Sequence, residues 1–95
     1  MLKATARVPE HVVHRSSDAE TILLNLETGQ YHGLNETGAR MLELLEITQG
    51  DVEAAVARLA DEYGVSFTEI APDLVDFCAD LESRGLIELV EGDER

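Results

Sequence analysis

The sequence predicts an α+β fold, a small three-stranded antiparallel sheet followed by three helices. Three observations carry this. Two short apolar runs, Thr21 to Leu26 (TILLNL) and Gln30 to Leu34 (QYHGL), flank Glu27-Thr28-Gly29, a turn with glycine where positive φ is needed. From Asn35 onward the apolar spacing changes from alternation to the helical period, in stretches that start at the capping residues Asn35, Asp51 and Ser66. The length, 95 residues, suits one domain and little more.

The elements follow in order. Residues 1–10 show no periodicity and read as a flexible lead-in. His11 to Arg15, containing Val12-Val13, is a short first strand, and Ser16-Ser17-Asp18 a turn. In the second strand Ile22, Leu24 and Leu26 share one face, with Leu23 and Asn25 on the other. The third strand is Gln30 to Leu34. Asn35 caps a first helix from Glu36 to about Glu46, with Leu34 as its staple and Met41, Leu42 and Leu45 as its apolar face. Gly38 inside it costs about 1 kcal/mol relative to Ala, which a close neighbour passing over it would justify. Gly50 breaks the chain, and Asp51 caps a second helix whose apolar positions are Val52, Ala55, Val56, Leu59, Ala60 and Tyr63, ended by Gly64. Ser66 with Glu69 resembles a capping box, but Pro72 removes a helical hydrogen bond. The expectation is a helical turn near 66–70, then a continuous third helix from about 71 to 84, with an apolar stripe of Leu74, Phe77, Cys78 and Leu81. Gly85 ends it, Leu86 packs back on Leu81 in a Schellman-type cap, and Leu86 to Val90 forms a short terminal strand. Residues 91–95 read as frayed. The outline is that of a winged helix-turn-helix.

Composition narrows the function. The formal net charge of −13 disfavours a phosphate backbone and an anionic membrane, and favours a basic partner or simple solubility. A winged-helix DNA binder would need a basic recognition helix, whereas the third helix carries Arg84 against Asp73, Asp76, Asp80 and Glu82. An acyl carrier protein would need an Asp-Ser-Leu at a helix start, and none occurs. The single cysteine, Cys78, allows no internal disulfide and fits a reducing cytosol. No apolar run approaches the roughly 20 residues of a membrane span, and Met1 to Glu10 is not a secretory signal. No P-loop, GxGxxG, HExxH or GxSxG motif occurs, and no nucleophile–base signature is visible around Cys78. His11 and His14, three apart on a strand, point to opposite faces. The reading is therefore of no catalytic residue, no metal and no cofactor.

The stretch Ile22 to Leu45, ILLNLETGQYHGLNETGARMLELL, resembles the PqqD-like family, the RiPP precursor peptide recognition elements. The parts are an apolar strand, a glycine turn, an aromatic-containing strand, then Leu-Asn and a helix rich in small residues and Leu. Glu62-Tyr63-Gly64-Val65 and VDFCADLESRGLI at 75–87 continue the likeness. Tyr31-His32-Gly33-Leu34-Asn35 with Gly38-Ala39-Arg40 is most similar to stand-alone members from lasso peptide clusters; pyrroloquinoline quinone biosynthesis, where such a protein is a peptide chaperone for a radical enzyme, is the family's other well-known home. The resemblance implies a cytoplasmic, non-catalytic protein that binds the leader of a precursor peptide and hands it to a separate leader peptidase or another modifying enzyme. It further implies that the leader adds as a strand to the sheet edge, in the cleft between the third strand and the third helix.

Carried onto this chain, the edge is Gln30, Tyr31, His32 and Gly33, and the groove wall includes Phe77. QYHGL has no Lys, Pro or Asp to blunt an open edge, although residues from the N-terminus could cover it. Asp73, Asp76 and Asp80 form an acidic stripe beside the apolar one, suited to a leader that is basic with a few apolar anchors. The plainer reading of that stripe is a solvated face whose carboxylates near the helix start favour the helix dipole.

Overall fold

The computed structural model describes residues 4–17 and 20–90. In chain order the elements are β1 (Thr5–Arg7), β2 (Val12–Ser16), β3 (Thr21–Asn25), β4 (Tyr31–Leu34), α1 (Glu36–Ile47), α2 (Val52–Tyr63), α3 (Phe67–Ser83) and β5 (Glu88–Val90). β2, β3 and β4 make the expected three-stranded antiparallel sheet, with Leu23 opposite both His14 and His32. The turn before β4 is shaped by Asn25, whose buried Oδ1 accepts the Glu27 and Thr28 amides at 2.9 and 3.2 Å, and by Gly29 at φ +77°.

The helices begin where the capping residues stand. Asn35, Asp51 and Ser66 accept the amides of Gly38, Ala54 and Glu69 at 2.8, 3.0 and 3.2 Å. α3 ends in a Schellman motif: the Leu86 amide donates to the Leu81 carbonyl at 2.9 Å and the Gly85 amide to that of Glu82 at 2.9 Å. Leu23, Leu44, Leu59, Leu74 and Leu81 lie fully buried in one apolar core shared by the sheet and all three helices. Cys78 is part of it, and burial pushes its thiol up to about 11.

Two expectations are corrected. α3 is one helix from Phe67, not a turn followed by a helix from 71. Pro72 removes only the bond its amide would have made to Thr68, and both residues are exposed, so water can take the freed carbonyl. Buried Ile70, Ala71 and Leu74 seat the helix on either side of the proline. The lead-in is the second correction. Within residues 1–10 Ala4 is buried, and β1 pairs antiparallel with β5, Thr5 opposite Val90. Strand pairing uses backbone groups, so three residues can form it without an apolar period to announce it. Residues 1–3, Asp18 of the first turn and the tail 91–95 lie outside the described residues.

Gly50 holds this N-terminal strand. Its carbonyl accepts the Ala6 amide at 2.8 Å, its φ is +85°, and a Cβ there would sit 2.1 Å from the Ala6 carbonyl oxygen. Only glycine allows that approach. β1 is thereby drawn to β5 and to the start of α2, away from β4.

Candidate functional site

β4 is an edge strand, and among the described residues no strand pairs with its outer side. The Asn25 amide donates to the Gln30 carbonyl at 2.8 Å, which sets the phase of the ladder. Since hydrogen-bonded and non-bonded pairs alternate, His32 and Leu34 turn their amides and carbonyls toward Leu23 and Thr21. Tyr31 and Gly33 turn theirs outward. The unblunted edge therefore offers four backbone groups, on two residues.

The wall facing this edge is one side of α3. At 100° per residue, positions 73, 77, 80 and 84 fall on a single stripe. Two hollows lie between it and the edge. One, of about 300 Å³, is lined by His32, Gly33, Leu34, Asn35, Thr37, Gly38, Met41, Asp73 and Phe77. The other, of about 110 Å³, is lined by Asn25, Gln30, Tyr31, His32, Arg84 and Leu86. Gly38 shapes the first. A Cβ there would lie 3.2 Å from Phe77 Cε1, so its absence is what lets α1 close on the ring, the close neighbour that the sequence called for. In the second, Arg84 is oriented by Asp80, whose Oδ1 and Oδ2 each accept from Nε at 3.2 Å.

Of the residues expected at a leader site, Gln30, Tyr31, His32, Gly33, Asp73 and Phe77 line these hollows. Asp80 lines neither and touches the second only through its hydrogen bonds to Arg84. Asp76 lines neither, because it stands about 60–100° round the helix from Asp73 and Phe77. Asn25, Leu34, Asn35, Thr37, Gly38, Met41, Arg84 and Leu86 line the hollows without having been expected at the site. The signal for Arg84 was available in its i, i+4 spacing from Asp80, and the C-terminal turn of the helix was the place to look.

Two other surfaces bear on function. A larger concavity, about 470 Å³, lies between β2 and α1. Most of its charged groups are paired: His14 Nε2 lies 2.7 Å from Glu46, and Arg40 binds Glu43 at 2.8 Å and also Glu62 of α2. Those two carboxylates hold the Arg40 guanidinium above its ordinary pKa, and Arg40 in turn holds Glu62 below the usual carboxylate range. The second surface is the sheet face turned away from the helices. Val13, Leu26 and Tyr31 are 40, 58 and 75 % exposed, with half-buried Ile22 and Leu24 between them. Thus the more apolar side of TILLNL faces outward, and Leu23 with Asn25 faces the core.

The family model described as coenzyme PQQ synthesis protein D (PqqD) matches residues 20–87, which include the hairpin and both groove walls. The chain belongs to the PqqD family. A solved structure described as TbiB1 in complex with the TbiA(beta) leader peptide is similar to this PqqD-family chain at 34 % identity and a TM-score of 0.79, over 92 % of this chain and 99 % of that one. A second, described as lasso peptide synthetase B1 complexed with the leader peptide, shares the fold at 23 % identity and a TM-score of 0.78, over 88 % and 98 %. No curated protein matches the sequence significantly.

Proposed function

We propose that this PqqD-family protein captures the leader of a ribosomally made precursor, of the lasso peptide class, by strand addition to β4. The observation that carries this is the pair of outward residues, Tyr31 and Gly33, set opposite the α3 stripe. Backbone bonds to that edge supply affinity without regard to sequence, and the two hollows select side chains. The 34 %-identical TbiB1, solved with a leader, supports the assignment. The protein performs no chemistry of its own. It presents the bound leader to a separate peptidase or other modifying enzyme in a reducing cytosol. The exposed apolar sheet face, which runs up to Tyr31 on the same strand, is the surface continuous with a bound leader and so the one such an enzyme would cover. No helix of the described residues is long and apolar enough to cross a membrane.

The test is amide hydrogen exchange on the free protein and on its complex with the cognate leader. Binding should protect the Tyr31 and Gly33 amides and slow exchange along α3. Protection confined to α1 and α2 would overturn strand addition at this edge. Cleavage of the precursor by the pure protein, persisting in Cys78→Ala, would overturn the non-catalytic role.

A further inference from the structure

The groove is electrically polar along its length. Asp73 lines the hollow at the Leu34 end of β4, and Arg84 lines the hollow at the Gln30 end. Arg84 is the only basic residue on α3 or its cap, in a protein whose formal net charge is −13. Its place at the helix C-terminus would favour a cation whatever the function. Two further observations go beyond that. Asp80 engages Arg84 through Nε alone, and no hydrogen bond within the described residues uses the terminal nitrogens. Arg84 also lines a hollow shared with the open edge, Gln30, Tyr31 and His32. An arginine held at Nε by one carboxylate keeps its remaining N–H donors for a second acceptor.

We propose that Arg84 is a specificity-determining residue that takes a carboxylate side chain of the bound leader, with Asp73 taking a basic side chain at the other end of the same strand. This rests on the leader reading above and adds the chemistry of the segment recognised. The backbone geometry also sets a spacing. Positions 73 and 84 are about 16 Å apart along the helix axis, and an antiparallel strand advances about 3.4 Å per residue, so the two charges stand roughly five residues apart. Side chains facing the helix recur at every second position, which leaves about four or six. The leader that fits is thus not uniformly basic. It carries an acidic and a basic residue at that separation, with apolar side chains for the Phe77 hollow between them.

The test uses phage-displayed random dodecapeptides selected in parallel on the wild-type protein, on Arg84→Glu and on Arg84→Gln. Thermal melts confirm that each variant is folded, and the neutral Gln variant covers the case in which Glu beside Asp80 distorts the helix end. The wild-type pool should be enriched in Asp or Glu at one offset from its apolar anchors, the Glu variant in Lys or Arg at that offset, and the Gln variant in neither. A synthetic wild-type binder whose acid is changed to its amide should lose roughly two- to fivefold in affinity for the wild type, the range of a solvent-exposed ion pair, and nothing for Arg84→Gln. The same residue preference at that offset in all three pools overturns the assignment. Selected peptides that leave the Tyr31 and Gly33 amides unprotected overturn the strand-addition reading itself, and Arg84's role with it.

Discussion

Proline at position 31 and proline at position 32 remove amides that point in opposite directions. The Tyr31 amide faces the open edge, so Tyr31→Pro should abolish or strongly weaken leader binding while leaving the melting temperature within a few degrees of wild type. The His32 amide faces Leu23 within the sheet, so His32→Pro should lower the melting temperature sharply and affect binding only through that loss. Thermal melts with fluorescence anisotropy of a labelled leader separate the two outcomes. The same measurements apply to Gly38→Ala. Relief of the helix glycine is worth about 1 kcal/mol, but the new methyl lies 3.2 Å from the Phe77 ring and 3.3 Å from Asn35 Oδ1. Stability should change little, while the ring, displaced toward the hollow, should cost leader affinity. Cys78 gives a prediction in pH. Its folded thiol is raised to about 11, above its unfolded value of about 9, so the native state holds more protons between those values. Its stabilising contribution is complete below about pH 9 and declines as pH rises through 11; Cys78→Ser should flatten that part of the stability–pH curve. These placements were unevenly legible. Asn35, Gly29 and Gly85 announce their roles because caps and turns are local, whereas the meeting of Gly38 with Phe77 depends on how two helices far apart in sequence cross.

Along α3 the acidic residues divide by angle. Asp73 faces the groove and Asp76 does not, so Asp73→Lys should weaken binding of a basic leader residue and Asp76→Lys should be nearly silent, each measured against added salt. Exposed pairs contribute only about 0.2–1 kcal/mol, so an equal effect of both substitutions would return the stripe to a solvated face. Phe77 is half-buried, so Phe77→Ala should destabilise by less than the roughly 3–5 kcal/mol of a fully buried ring and should reduce affinity as well. The helix boundaries show where sequence reading meets its limit. α2 was readable from Asp51 to Gly64, since period, cap and stop signals agree. The start of α3 is masked in the sequence by Pro72, locally a helix breaker, whereas the packing of Ile70, Ala71 and Leu74 outweighs one lost hydrogen bond.

At the scale of the molecule, the two ends of the described chain are fastened together. β1 and β5 pair, Arg7 binds Glu88, and the Ala6 amide closes on Gly50. Gly50→Ala cannot keep this arrangement, because its Cβ would sit at 2.1 Å from a carbonyl oxygen. It should lower the melting temperature and speed amide exchange at Ala6 and Val52, with little change at Tyr31. None of this was legible in residues 4–7, since the partner strand lies some eighty positions away. The sheet and the three helices were legible, being built from neighbours in sequence, whereas the groove joins β4 to α3, far apart in the chain, and its place came from the family resemblance. The length of the open edge carries a last consequence. If the leader adds at this edge as proposed, then with only Tyr31 and Gly33 facing outward the backbone grip would be short and blind to sequence, and choice would rest with the side chains that line the groove. On that proposal the protein would be retargetable: exchanging the groove stripe of Asp73, Phe77 and Arg84 for that of a relative should carry over the relative's preference for precursors, and would let one scaffold deliver foreign peptides to an unchanged processing enzyme.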